Sequence, residues 1–186
     1  ILEQMAGDLL PRRNFMTQVA SGYNRNHRIN SEGGSIPDEW IVEYVADRVE
    51  TLGTTFLGLT LNCSRCHDHK YDPVSQNDFY SLFAFFNGID EAGLGPNNGN
   101  SPPFIPVPKS WPELKPAENK FVVPAKMKIK VVQTSVPRPQ PGGANTVMVM
   151  HELPKPRPTY VLERGLYDRP EKSRKLGPAV PQGWRI

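Results

Sequence analysis

Apolar residues return at steps of three and four through the first half of the chain, and that rhythm breaks off near residue 88. The clearest run is Ile41, Val45, Val49, Leu52, Phe56 and Leu59. It predicts one amphipathic helix of about six turns with a single buried face, delivering the chain to Cys63. Ser35 opens it as an N-cap, Asp38 completes a capping box, and Pro37 is tolerated in the first turn. A second run, Phe79, Leu82, Phe83 and Phe86, is opened by Ser75 with Asp78 and closed by Asn87-Gly88. Upstream, Ile1, Leu2, Met5 and Leu9 read as the end of a helix stopped by Pro11. A short helix over 14–22 is expected to turn Phe15, Met16 and Val19 to the core. Between these pieces, residues 23–34 are polar, amide-rich and end in Gly33-Gly34, which marks a loop with local hydrogen bonding.

After Gly88 the chain is rich in Gly, Asn and Pro. Proline recurs too often for helix, leaving Phe121–Val123 and Lys128–Val132 as short strands, and 147–150 and 157–162 as two more extended pieces. The expected fold is mainly α: a small helical core with a Pro-rich, largely irregular extension containing short extended segments. Its expected parts are a helical region over 1–88, a Pro/Gly-rich connecting region over 89–146, and an extended segment over 147–186 that packs on the core. Phe121, Val131, Val149, Tyr160 and Leu162 need burial, and the helical core is the apolar surface on offer.

Composition agrees. The 20 prolines in 186 residues are about twice the ordinary usage of about 5%. With 38% hydrophobic residues and a mean hydropathy of -0.50, much of the chain is expected to be irregular and exposed. The charge of +3 comes without any like-charge block, so no nucleic-acid partner is expected. No run approaches the 18 or so apolar residues of a membrane span, and no signal-peptide pattern is present. The sequence opens in mid-pattern at Ile1, as expected of a piece of a longer protein.

Both cysteines fall in Cys63-Ser64-Arg65-Cys66-His67. Cys-x-x-Cys-His is the attachment pattern of c-type haem: two thiols bond the two vinyl groups, and the adjacent imidazole meets the iron. An inert thiol pair or local disulfide leaves His67 unexplained. A zinc site could use Cys63, Cys66 and either His67 or His69, with His27, His151 or a carboxylate as fourth ligand, but lacks the usual distant second ligand pair. A metal-dependent nuclease is faintly suggested by His67-Asp68-His69-Lys70 with Asp72-Pro73 and Asn77. Such sites sit on a strand pair followed by a helix, and here a helix precedes. Asp68 and Asp72 are expected to cap the turn, to pair with Lys70, or to orient His67 or His69 through the free ring nitrogen. Glu32 is expected to anchor its loop, and Arg48 and Arg65 to be solvated, unless one pairs with a haem propionate.

Several runs carry a resemblance: Glu3 through Pro11, Asn24-Arg25-Asn26-His27-Arg28-Ile29-Asn30, Glu32-Gly33-Gly34, and Cys63 through Pro73. Together they resemble the planctomycete cytochrome c-like domain family. The stretch from Met150 through Pro158-Thr159-Tyr160 to Asp168 is similar to the start of the uncharacterised domain that follows it there, while the region between Phe86 and Met148 is shorter than usual. The resemblance implies a large exported protein, periplasmic or at the cell surface, with covalent haem c and its iron.

The expected function is a c-type cytochrome module with one covalent haem, exchanging electrons with a redox partner protein or with other parts of a larger chain or complex. The alternatives are a haem enzyme of peroxidase type and a Cys/His zinc-binding structural module. Cofactor-binding residues are Cys63, Cys66, His67 and His27, with His67 and His27 on the metal. His27 is chosen as sixth ligand over His69, His151, Met148 and Met150. His69 is too near His67 to reach the opposite face of the macrocycle. Alternation along 147–151 sends the methionines to one face and His151 to the other. His27 lies in a loop able to fix its second ring nitrogen, within the family-like stretch.

Overall fold

A computed structural model of the chain describes residues 1–108 and 145–184. Among these residues the helical rhythm is realised in α1 (Leu2–Ala6), α2 (Phe15–Ser21), α3 (Pro37–Leu52) and α4 (Gln76–Phe86). Strands β1 (Phe104–Pro106), β2 (Thr146–Met148), β3 (Thr159–Leu162) and β4 (Pro170–Leu176) pair as β1 with β2 and β3 with β4. β3 and β4 run antiparallel, Thr159 opposite Leu176 and Leu162 opposite Pro170. The fold is therefore mixed α and β, which corrects the mainly α expectation. The strands escape notice for physical reasons. β4 reads Pro-Glu-Lys-Ser-Arg-Lys-Leu and buries no residue fully, so it carries no period-two apolar signal. The register of β3 shifts between Tyr160 and Val161, so that Val161 and Leu162, adjacent in sequence, are both buried.

α4 starts as its sequence dictates: Asp78 N–H donates to Ser75 Oγ at 3.1 Å, and Ser75 N–H to Asp78 Oδ2 at 2.9 Å. α3 starts differently. Its N-cap is Ile36, without a side-chain cap, while Ser35 Oγ accepts from Asn30 Nδ2 at 2.7 Å. Pro37, with Asp38 and Glu39 in the first turn, supplies the start instead. The predicted six turns are also cut short. α3 ends at Leu52, loosens into a π-helical turn over Gly53–Leu57, and stops at Gly58, whose φ of 66° is left-handed. The chain then doubles back so closely that a Cβ on Gly53 would lie 2.6 Å from Leu61 Cγ. α2 departs too: it buries Thr17 and Ser21, while Met16 is exposed. Ser21 Oγ donates to Gln18 O at 2.6 Å and accepts from Met150 N–H at 3.1 Å, a polar seam that residue hydrophobicity does not announce.

The core joins Val45 and Val49 of α3, Phe79, Tyr80, Phe83 and Phe86 of α4, Leu61 and Val74 between them, and Ile89, Met150, Val161 and Leu162. The chain divides into two compact units, one of Ile1–Ile105 with Val147–Ile186 and one of Pro106–Thr146. The core and all sites below belong to the first. The strands read at Phe121–Val123 and Lys128–Val132 lie outside the described residues. No helix among the described residues is long and apolar enough to cross a membrane.

Candidate functional site

The cysteine motif starts in a 3₁₀ turn, Leu61–Arg65, capped by Cys66 and followed by His67, between the end of the α3 region and α4. Leu61 and Ser64 are buried and anchor it, with Ser64 Oγ donating to Val74 O at 3.2 Å. That leaves Cys63 and Cys66 as exposed free thiols on one turn. The N–H groups of Cys66 and His67 both donate to Cys63 O, at 3.3 and 3.4 Å. His67 is exposed, and its Nδ1 lies 2.8 Å from Asp68 O. A carbonyl only accepts, so Nδ1 carries the proton and, in the neutral ring, Nε2 keeps a free lone pair.

Arg65 holds the turn against the rest of the fold and is not the solvated side chain expected from sequence. Its carbonyl accepts from Tyr80 OH at 3.0 Å and Gln76 Nε2 at 3.3 Å. Its guanidinium pairs with Glu43 and donates to Gly165 O at 2.8 Å. Burial alone would raise the Glu43 carboxyl, but Arg65 and Arg28 outweigh it and hold the group below its ordinary range. Cys66 Sγ lies 3.3 Å from Arg164 O. Asp68 Oδ1 accepts from Gln76 N–H at 2.7 Å, so it binds the first turn of α4 and not the cysteine turn. His69 Nδ1 faces the N–H groups of Tyr71 and Asp72, at 3.3 and 2.9 Å, and the Asp72 carboxylate at 3.3 Å, so the ring and Asp72 organise the loop together.

His27 stands in a different place, with a side chain only 3% exposed. Its Nδ1 is 2.6 Å from Arg28 O, its Nε2 is 3.5 Å from Glu91 Oε2, and its ring lies 4.5 Å from that of Tyr44, centroid to centroid. Glu91 is the hub of a buried cluster. It accepts from Arg48 at 2.5 and 2.6 Å and from Arg25 at 2.7 Å. Burial would raise this carboxyl, yet hydrogen bonds from Arg48 and the charges of Arg48 and Arg25 bring it down to about 2, while His27 Nε2 faces it without a hydrogen-bond partner. Arg48, expected to be solvated, is thus buried and paired. Glu32 is exposed, and the loop anchor is Asn30, whose Oδ1 accepts from Glu32 N–H at 3.0 Å. Met150 is buried in the core, Met148 is half-buried, and His151 is exposed near Asp90. Val149 and Met150 are both buried, so the alternation read over 147–151 does not hold.

The structure thus gathers Cys63, Cys66 and His67 on one turn and sets His27 among Glu91, Arg28 and Tyr44. Among the described residues no three His, Cys, Asp or Glu side chains are grouped to hold a metal ion. A cavity of about 540 Å³, lined by Phe85, Lys155, Tyr160 and Leu176 among others, does not include the cysteine turn. Sequence reading missed the Glu163–Gly165 contacts to Arg65 and Cys66 and the Glu91 hub. The first left one signal, a Gly following an Arg just after a short apolar strand; the second left none.

Residues 1–91 match the family model described as PSCyt2, protein of unknown function (DUF1549), consistent with the resemblance read over the same stretch. No curated protein and no solved structure matches the chain.

Proposed function

We propose that residues 63–67 carry one covalent haem and that the chain is a c-type cytochrome module passing single electrons. The observation that carries this reading is the turn itself. It presents two free, exposed thiols, followed by an imidazole whose Nδ1–H is tied to Asp68 O and whose Nε2 is left to ligate. That donor set is the one the group requires, and a single axial histidine needs no cluster of ligands around it. When bound, the haem would supply the one-electron iron couple. Cys63 and Cys66 would tether it, and His67 would hold the iron with its ring orientation fixed by Asp68 O. Ser64, Gln76 and Tyr80 keep the turn in place.

Iron ligation by His27 belongs to this proposal only if its ring leaves Glu91, toward which Nε2 now points. Changing His27 to Ala tests it: loss of a six-coordinate spectrum supports His27, and a shift with Met150→Ala instead assigns the position to methionine. The open surface position of the turn suits contact with a redox partner protein. The resemblance adds an exported, periplasmic or cell-surface location.

The test is chemical. Produced with export and haem-attachment machinery, the protein is expected to keep its colour through acid-acetone extraction, and the double variant Cys63→Ser, Cys66→Ser to have none. Zinc without iron in the purified protein would overturn the reading. Immediate carbon monoxide binding by the reduced protein would move it to a haem enzyme of peroxidase type with an open sixth position.

A further inference from the structure

The two thiols of the turn are not alike. Cys66 Sγ lies 3.3 Å from Arg164 O and donates its S–H there, while Cys63 makes no such bond among the described residues. The acceptor is placed by an unusual piece of backbone. Arg164 has φ 51° and ψ 27°, the left-handed region that residues other than glycine seldom occupy, and Gly165 follows at φ 73°. Such conformations persist only where the surroundings hold them. Here Glu163 N–H donates to Arg169 O and Leu166 N–H to Glu163 O, each at 3.0 Å. The result is that two successive carbonyls meet the cysteine turn, Arg164 O at the Cys66 thiol and Gly165 O at the Arg65 guanidinium. Gly165 packs flat on Arg65: a Cβ there would lie 2.8 Å from Nε and 2.9 Å from Cγ.

We propose that the Glu163–Gly165 turn is a latch that makes the thiols unequal, so that Cys63 reacts first with a vinyl-type electrophile and Cys66 follows once the turn yields. In thioether formation the sulfur bonds one vinyl carbon and a proton ends on the other, so no oxidant or reductant is consumed. The attacking sulfur must first give up its proton. At Cys66 the sulfur is held against Arg164 O by that contact, so an electrophile reaches it only once the contact opens. Because the acceptor is a backbone carbonyl, the Arg164 side chain is dispensable and the left-handed geometry is what matters. The link to haem rests on the function proposed above; the inequality of the thiols does not.

The test uses the full-length, haem-free protein and N-ethylmaleimide, an activated C=C bond that thiols attack. Labelling is followed at each cysteine by peptide mass spectrometry. Cys63 is expected to react about threefold to tenfold faster than Cys66, the range a single net hydrogen bond supports, and the two to react alike in denaturant. Arg164→Gly should keep the ratio, since glycine adopts the same backbone freely. Gly165→Ala, strained at positive φ and driven into Arg65, should bring the ratio to about one by speeding Cys66. Equal rates in the native wild-type protein would overturn the proposal, as would an unchanged ratio in folded Gly165→Ala. Haem present with equal rates sinks the latch alone; an intact ratio without haem sinks the cytochrome reading alone.

Discussion

Glu91 shows how far a single side chain can organise this molecule. One carboxylate, 1% exposed, faces the guanidinium groups of Arg25 and Arg48 and the ring of His27. Taking such charges out of water is expensive, and the geometry has to repay it: Arg48 gives two bonds, Arg25 one, and the outer donors of the arginines reach Asn24 O, Ser101 O and Pro102 O. A carboxyl brought from its ordinary 4.5 to about 2 in the folded state binds its proton later than in the unfolded chain. Its contribution is therefore complete above about pH 4.5 and is lost as the pH falls toward 2. Integrated over that window it is on the order of 3 kcal/mol. Urea titrations should show the wild-type protein weakening through this window. Glu91→Gln should be destabilised at pH 7 by about 3–5 kcal/mol, because two guanidiniums are left without their counter-charge. Its own acid limb should be correspondingly flatter; a limb as steep as the wild type's would put the acid-sensitive group elsewhere. The hub was illegible in the sequence because its partners stand 66 and 43 residues away, and a buried arginine looks like a solvated one until its partner is known.

At the scale of elements, legibility follows the range of the interaction that makes each one. The start of α4 was readable because a capping box closes within four residues, and Ser75 and Asp78 satisfy each other. The same logic misplaced the start of α3, because Ser35 had a competing partner in Asn30, five residues earlier. The Cys-x-x-Cys-His turn was equally local and readable, whereas the segment that touches it from Glu163–Gly165 lies about a hundred residues on. These differences give a paired prediction. Ser75→Ala should lower stability by about 1 kcal/mol, the usual worth of an N-cap. Asp78→Ala should cost at least as much, since Asp78 Oδ1 also accepts from Gln182 N–H at 3.1 Å. Ser35→Ala should cost less than Ser75→Ala, because no helix end depends on it. Urea denaturation of the three variants checks the order, and an equal or larger loss at Ser35 would restore the capping role the sequence suggested.

For the whole molecule, the helical segment alone does not complete the core. The family-model match ends at residue 91, yet Met150, Val161 and Leu162, exposed by 4%, 0% and 7%, come from beyond it. Arg157 also closes the end of α4 from outside the matched stretch, donating to Asn87 O, Ile89 O and Glu91 O at 3.2, 2.7 and 3.1 Å. The period-two signal that would have announced this closure is missing from β4 and broken in β3. Burying an apolar side chain of this size contributes about 1.5–3 kcal/mol, so the three together contribute about 5–9 kcal/mol. That is comparable to the whole stability of an ordinary domain, about 5–15 kcal/mol. A fragment of residues 1–91 is therefore expected to keep helical signal in circular dichroism but to melt without a cooperative transition and to bind a hydrophobic dye. Adding a peptide of residues 147–184 should restore cooperative melting, because it returns Met150, Val161 and Leu162 together with the Arg157 bonds. If the fragment alone unfolds cooperatively at the midpoint of the full chain, the strands decorate the core and do not complete it.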